Sequence, residues 1–445
     1  MNANHAEIRS TGGAQIVDPV PFAEHADRDV IHNEVHARPP LAIFPPLTVS
    51  HMAFKCGEHR FADDFAHLCA LMEREGLEVP RTDARHAVFH IGDALIKWER
   101  HTEFLALTII KPLGTCEAGS IGALKALPQD WLEAIDGPLI AGMHIVFLGD
   151  QDDRDLYNWQ ELLFGRRRLF GARVDGGQAR VWTDFDLHAD RFGRILIQSG
   201  EHRSFRAGRL LKWLLEIETY RVLAMMGLPK VSGARPRVSE LEQSLRDLID
   251  ELNDAGSTAS DQDLLHRLTD LAAGLEEQWA ALRYRIAASR AYYAIVRRRL
   301  DRLGEGALDD LQTLTGFVDH RLAPAMDTID AVEKRLMALG EAIERTTGMI
   351  RTRVDIALEE QNQHILRSMD ARGRQQLLLN QAVENFSVAA ISYYVAMLVN
   401  TLAKGVVPEE VIEPYTLTAL ALPFIVFGVW WGVRRTRKGI EDLMD

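Results

Sequence analysis

Two histidines that flank a glutamate near the N-terminus are the residues of this chain best suited to bind a metal. His32, Glu34 and His36 alternate along the chain, so in an extended segment their side chains point to the same side. Imidazole and carboxylate groups together bind borderline divalent metals such as zinc. The spacing is not that of a helical HExxH site. Two other interpretations stay open: Arg38 binds a carboxylate or phosphate, or the segment packs on the next domain with Glu34 paired to Arg38 or a histidine.

Further histidines lie in the first third of the chain, on or beside predicted strands. With two glutamates they form a second polar group: His51, His86, His90, His101, Glu99 and Glu103. These side chains could converge with the 32–36 string into one site. We favour the simpler interpretation that they are polar strand positions facing solvent.

A third polar group lies near the C-terminus, at the end of a long apolar run and in the loop after it. It consists of Asn400, Thr401, Glu409, Glu410 and Glu413. Hard divalent cations such as Mg²⁺ prefer oxygen ligands, and an acidic rim raises the local cation concentration. The group therefore predicts a divalent-cation pathway with an acidic outer mouth. The alternative is that Asn400 caps the apolar helix, that the glutamates keep the loop out of the bilayer, and that Ser387 and Ser392 serve helix packing.

Two apolar runs, 386–403 and 415–433, would position these oxygens, and each is free of charged residues. A helix rises about 1.5 Å per residue, so each run can cross roughly 30 Å of hydrocarbon. The loop between them is acidic, whereas Arg434 and Arg435 follow the second run at once, and short basic flanks stay inside. The sequence thus predicts a two-span hairpin in a bacterial inner membrane, with the N- and C-termini cytoplasmic. Two buried helices of a soluble domain are the alternative.

Composition excludes several classes of protein. The net charge of −13 disfavours a nucleic-acid-binding role. The chain has three cysteines and no CxxC pair, as expected in a reducing cytoplasm, and residues 1–30 contain no apolar signal segment. Neither GxxxxGK[ST], GxGxxG after a strand, nor GxSxG is present, so the sequence does not favour an enzyme.

The chain divides by pattern into an α+β cytoplasmic domain, long helices and the hairpin. The predicted segments are a Pro-rich extended arm (1–46), the α/β domain (47–203), a helical region (204–323), a long stalk helix (324–385), the transmembrane hairpin (386–433) and a basic tail (434–445). Alternation predicts strands at 48–55, 86–91, 94–99, 103–110, 139–148, 180–184 and 193–198, and helices at 61–75 and 130–135.

Longer helices are predicted after residue 203. They are 205–226, 239–252 after a proline-containing linker, 261–302, 308–322 with a break or kink at Pro324, and a proline-free helix from Ala325 into the first apolar run. A heptad-like seam runs through Ile329, Val332, Leu336, Leu339, Ile343, Thr346, Ile350, Val354 and Ala357. This seam fits a homo-oligomeric stalk and an intramolecular helical hairpin equally well.

Two resemblances follow from these residues. The strings HNEVHARPP (32–40), KWERHTEF (97–104) and VENFSVAAISYYV (383–395) resemble a bacterial family of membrane-anchored proteins of unknown function, over nearly the whole chain. The resemblance implies no activity, because none is assigned to that family.

The order of parts is similar to that of CorA-type magnesium transporters. In those proteins a cytoplasmic α/β domain and long helices lead into two C-terminal spans, and the first span lines the pore of a pentamer. Their Gly-Met-Asn motif corresponds here to Leu398-Val399-Asn400, where only the Asn is kept. The resemblance implies a homo-oligomer in the lipid bilayer that passes a divalent cation, Mg²⁺ or Zn²⁺. The alternative is a membrane-anchored ligand- or metal-binding or scaffold protein without transport.

Overall fold

The computed structural model describes residues 25–28, 31, 40–57, 60–80, 84–115, 122–150, 153–200, 204–254, 260–406 and 414–441. The chain forms two compact units. The first consists of Met1–Asp250 with Thr269–Ala342, and the second of Glu251–Leu268 with Ile343–Asp445.

An eight-stranded sheet forms the centre of the first unit. Its strands are β1 (Leu47–Lys55), β2 (His86–Ile91), β3 (Ala94–Arg100), β4 (Phe104–Pro112), β5 (Leu139–Leu148), β6 (Phe170–Val174), β7 (Ala179–Thr183) and β8 (Gly193–Ser199). Their order across the sheet is β2-β3-β4-β1-β5-β8-β7-β6. Only the β5–β8 pair is parallel among these strands; the other neighbours are antiparallel.

Helices lie between the strands and after the last strand in the chain. They are α1 (Phe61–Arg74), α2 (Gln129–Glu133), α3 (Asp153–Phe164), α4 (Ser204–Met225), α5 (Gly227–Asn253), α6 (Asp261–Leu303), α7 (Leu314–Val406) and α8 (Pro414–Glu441), with short 3₁₀ turns at Leu113–Thr115 and Leu124–Ala126. An N-terminal α+β domain followed by long helices is therefore confirmed.

Apolar side chains cover both faces of the sheet. On one face Ile145, Phe147 and Ile197 pack with Leu211 of α4 and Val296 of α6. The other face forms a second core, which contains Leu68, Leu71, Ile96, Trp98, Leu107, Ile109 and Trp131. Because helices lie over the sheet in this way, some polar residues on the strands are buried as well, among them His51 and Thr108.

The loop between α6 and α7 protects the sheet edge at β6. The Gly171 N–H donates to the Gln312 carbonyl (3.0 Å), and Arg173 and Gly306 exchange backbone hydrogen bonds (3.0 and 2.8 Å). Pairing of this kind removes the free edge that would otherwise invite aggregation. Residues 308–313, predicted to begin a helix, thus serve as edge-pairing loop, and α7 begins only at Leu314.

Two prolines lie inside helices of the structure. The predicted linker at Pro236 is wrong, because Pro236 lies inside α5. Of the break or kink predicted at Pro324, the break is wrong, because α7 continues through this residue. A proline in a helix interior costs about 3 kcal/mol, and packing offsets this cost. Val238 beside Pro236 and Leu322 beside Pro324 are at most 1% exposed. In addition, the Thr328 hydroxyl donates to the Pro324 carbonyl (2.9 Å).

Most of the predicted seam on α7 is buried against the chain's own helices. Ile329, Val332, Leu336 and Leu339 are at most 4% exposed in the first unit. There Arg290 of α6 pairs with Asp330, and Arg335 pairs with Glu242 of α5 (2.7 and 2.9 Å). In the second unit Ile343, Thr346 and Ile350 are also buried. For residues 329–350 the intramolecular alternative is therefore correct.

Beyond Ile350 the long helix α7 is mostly exposed rather than buried. Nearly every residue from 351 to 386 is exposed, including Leu366 (65%) and Phe386 (77%). Within the described residues, one helix, Leu314–Leu402, is long and apolar enough to cross a membrane, and only 6% of its most apolar stretch is buried.

Candidate functional site

A polar cavity of about 300 Å³ lies between the sheet and α4 in the first unit. Small residues on the strands leave the space open: Ala106 and Thr108 stand at the centre of β4, under the helix. Strand register places polar side chains on the side of the cavity formed by the sheet, because His51 on β1 and Lys97 on β3 are both paired with Thr108. The three side chains thus form one row across three strands.

His51 is fixed in this row by two hydroxyl groups. Its Nδ1 lies 2.8 Å from the Thr108 Oγ1, and its Nε2 lies 3.1 Å from the Thr219 Oγ1 on α4. Burial lowers the pKa of His51 to about 4, so the ring is neutral at physiological pH. In a neutral imidazole one nitrogen donates and the other accepts, so the two hydroxyls take opposite roles.

Five charged side chains line the same cavity: Lys97, Glu99, Lys212, Glu216 and Arg299. Lys97 pairs with Glu99 (2.8 Å between Nζ and Oε1), and Arg299 of α6 pairs with Glu216 of α4. Burial by itself would raise the pKa of Glu99, but the neighbouring Lys97 ammonium holds that pKa below its usual value. Burial lowers the pKa of Lys212. The lining therefore carries three cations and two carboxylates.

The chain segment just before β1 closes one side of the cavity. Pro40 and Leu41 line it together with Gly208 of α4. A Cβ atom at Gly208 would lie 1.7 Å from the Leu41 carbonyl oxygen. Only glycine permits this approach, so the segment is packed directly on the helix.

A buried ion pair lies near the cavity and ties the β3–β4 turn to α6. The Glu103 carboxylate accepts hydrogen bonds from Arg285 and from the Tyr292 hydroxyl, and both glutamate and arginine are at most 9% exposed. Burial, followed by the Glu103 charge, raises the pKa of Tyr292, so the phenol stays protonated and keeps donating.

A Ser–His–Asp line elsewhere in the sheet lacks the access that an active site needs. Ser50 Oγ lies 2.8 Å from His144 Nδ1, and His144 Nε2 lies 3.8 Å from Asp190. However, Ser50 is fully buried and accepts the Ala123 N–H (2.7 Å). Phe192 also stacks on the imidazole (4.4 Å between ring centroids). We therefore assign this line to the core.

The structure brings together part of the predicted histidine group and separates the rest. His51, Glu99 and His101 line the cavity, whereas His90 is exposed on β2. The prediction that these residues face solvent is wrong for His51 (5% exposed) and for Glu103 (7%), because α4 and α6 cover that face. Sequence inspection missed Lys212 and Glu216, because α4 carries several other charged residues and nothing in its local pattern distinguishes these two.

The other predicted site residues are not gathered into a site by the described residues. His32, Glu34 and His36 lie outside them, as do Glu409, Glu410 and Glu413. Across the described ranges, no group of three His, Cys, Asp or Glu side chains could hold a metal ion. Asn400, half-buried, and Thr401, exposed, lie on α7, and the Thr401 hydroxyl donates to the Met397 carbonyl (2.8 Å). The metal site and the outer mouth stay predictions.

Comparison with solved structures gives matches with low scores. The full-length CmaX protein is 15% identical, with 68% of this chain and 91% of that chain covered and a TM-score of 0.16. The CorA magnesium transporter from Methanocaldococcus jannaschii is 13% identical, with 66% and 90% covered and a TM-score of 0.11. TM-scores this low establish neither a shared fold nor a shared function.

Comparison by sequence gives one family. No curated protein matches the chain significantly. A family model described as "Protein of unknown function (DUF3422)" matches residues 23–440. The prediction of a family of unknown function is thus confirmed, and the chain belongs to the DUF3422 family.

Proposed function

We propose that this chain is an integral protein of the bacterial inner membrane that spans the bilayer with the end of α7 and with α8. The observation that carries the proposal is the exposed apolar surface of α7. Phe386, Tyr393, Leu398 and Leu402 are each more than 60% exposed in a stretch without charged residues. Exposed apolar surface costs about 25 cal/mol per Å² in water, and a soluble protein rarely leaves so continuous a patch uncovered. In the hydrocarbon core of a bilayer the same surface contacts lipid chains, so this cost does not arise.

The exposed side chains of α8 support a second span. Leu420 and Phe424 are 79% and 77% exposed. Near its basic end, Arg434 and Arg435 lie over the rings of Trp430 and Trp431, at 4.9 and 5.1 Å from the ring centroids. Tryptophans followed by arginines are typical of the cytoplasmic membrane interface. This end therefore favours cytoplasmic N- and C-termini, with the 404–414 loop outside.

Burial patterns support packing of the two spans as a hairpin. Each helix has one stripe of less exposed residues at intervals of three and four, as a packed face requires. The stripes are Val388, Ser392, Val395 and Val399 on α7 and Ala421, Ile425, Val429 and Val433 on α8. Small and β-branched residues of this kind let membrane helices approach closely.

The chain is proposed to assemble as a homo-oligomer through the exposed part of α7 before the span. Ile365, Leu366 and Met369 are 47–65% exposed on a helix that also carries both acids and arginines. A helix exposed on all sides has no core to stabilise it. A second copy offers complementary charges and an identical apolar seam, so the partner proposed here is another copy of this chain.

Oligomer mass is the measurement that tests this assembly. In mild detergent the full-length protein should give a particle of several copies, and Leu366→Asp with Met369→Asp should reduce it to one. Ile343→Asp is unsuitable as a dissociating variant, because Ile343 is 6% exposed within its own chain and its substitution would damage the fold. Lys230→Asp, at an exposed position on α5 in the first unit, is the charge control and should leave the assembly intact. A wild-type particle of one copy would refute the oligomer.

A second candidate function is permeation of a divalent cation along α7, favoured by the oxygen atoms that this helix carries inside its apolar stretch. The hydroxyls of Ser387 and Thr401 donate to backbone carbonyls of their own helix (2.8 Å each), which leaves oxygen lone pairs for a cation. Repeated once per copy, these oxygens and the Asn400 amide could replace water around an ion.

Flux through reconstituted protein separates permeation from anchoring alone. Liposomes that contain a magnesium- or zinc-sensitive dye should show influx with the wild type and a loss of at least tenfold with Asn400→Ala. Asn385→Ala, at the cytoplasmic start of the same span, is the matched control and should keep the flux. Absence of flux for every divalent ion tested, from a verified oligomer, would remove this candidate and leave a membrane-anchored ligand-binding or scaffold protein.

A further inference from the structure

We propose that the cavity between the sheet and α4 is a binding site for a small organic anion that presents carboxylate or phosphate oxygens. The site lies entirely in the first unit, and the inference does not depend on membrane insertion or on transport. The proposed binding site would give the first unit a function of its own, separate from the function proposed for the membrane helices.

Charge is the first reason. The lining carries three cations against two carboxylates, so its formal balance is positive although the whole chain carries −13. Both carboxylates already have a cationic partner, Glu99 with Lys97 and Glu216 with Arg299. A cationic ligand would add to this positive balance, whereas an anion would be attracted by it and would reduce it.

The second reason is that this polarity is a burden to the fold without a ligand. Replacing buried ion pairs by apolar residues is often neutral or stabilising. Here the Lys97–Glu99 pair, 10% and 12% exposed, lines the cavity together with a neutral histidine and two threonine hydroxyls. Ala106 leaves room on the strand, whereas Gly208 lets the Leu41 carbonyl pack against α4 and so closes one side of the cavity.

Size and lining restrict the ligand. A volume of about 300 Å³ is at the lower end of ordinary small-molecule sites, which favours a ligand smaller than a nucleotide. Phe104, Ile110 and Leu215 add apolar walls. A short carboxylate or a small phosphate ester therefore fits better than a bare inorganic ion, with the cations at one end and carbon atoms against these walls.

Lys212 is the side chain whose replacement tests the site. The full-length protein in mild detergent is titrated with sodium phosphate, sodium acetate and sodium succinate at constant ionic strength, with sodium chloride as reference. At least one probe should bind saturably and raise the Tm, and Lys212→Met should weaken that binding at least tenfold. Lys212→Arg keeps the charge and should retain most of it. Lys230→Met, at an exposed position on α5, is the control and should bind like the wild type.

Two results would overturn the proposal. One is a wild type in which none of the three anions acts differently from chloride, and the other is an equal response of the wild type and Lys212→Met. Should Lys212→Met fail to fold, Ala106→Val narrows the cavity while keeping its charges. That variant must then weaken binding at least tenfold, and unchanged binding would contradict the site.

Discussion

Arg285→Met is expected to lower the free energy of unfolding of the sheet-containing unit by about 3–5 kcal/mol, because it leaves the Glu103 charge buried without its guanidinium partner. Glu103 is 7% exposed and Arg285 is 9% exposed. The Tyr292 hydroxyl would remain as a donor to Glu103, but a neutral donor does not compensate a buried carboxylate. Urea unfolding followed by tryptophan fluorescence, with the membrane helices kept in detergent, measures the difference.

Two matched variants make this result specific. Arg290→Met removes an equally long side chain from the same helix, but Arg290 is half exposed, so the loss should be roughly 1 kcal/mol or less. In the double variant Arg285→Met with Glu103→Gln no charge is left buried, and stability should recover in part. Equal losses in Arg285→Met and Arg290→Met would show that burial of the Glu103 pair has no energetic weight.

The local sequence pattern was sufficient to predict most strands that are neighbours both in the sequence and in the sheet. β2, β3 and β4 follow one another through short turns, and the Gly92-Asp93 turn with its positive φ at Gly92 (58°) marks the first of them. β6 and α3 were not predicted. β6 is an exception among strands of this kind, because it pairs with β7, the next strand of the chain. Its five residues are too few to show alternation, and its other edge pairs with a loop more than 130 residues later.

The cavity could not be predicted for a related reason. Its residues come from β1, β3, β4, α4 and α6, and their meeting depends on long-range register and on the close contact of Gly208 with Leu41. A histidine or glutamate on a strand has the same local pattern whether a helix covers it or not. Thus His51 and Glu103 were predicted on the surface and are found in the interior.

The seam on α7 shows what sequence periodicity can predict about burial and what it cannot. The same spacing continues from Ile329 through Ile350 and on to Ile365, yet the first part is buried in its own chain and Ile365 is 47% exposed. Periodicity identifies an apolar face but not the surface that covers it. The structure assigns the first part to α5 and α6 and leaves the second part for the proposed assembly.

Accessibility of single cysteines tests most directly whether α7 and α8 cross the membrane. The full-length protein, with Cys56, Cys69 and Cys116 replaced by alanine, receives one cysteine at Val407, at Ile440 or, as a control on the sheet-containing unit, at Lys230. Intact cells are treated from outside with a membrane-impermeant maleimide, before and after permeabilisation. Val407 lies outside the described residues, in the segment predicted from the sequence to be the outer loop, and Ile440 is near the end of α8.

The account predicts that Val407→Cys reacts in intact cells, whereas Ile440→Cys and Lys230→Cys react only after permeabilisation. This contrast should be nearly all-or-none, because a charged reagent does not cross about 30 Å of hydrocarbon. Val407→Cys that stays protected until permeabilisation, or a protein that remains in the soluble fraction after lysis, would contradict the claim that this chain spans the membrane twice with both ends in the cytoplasm.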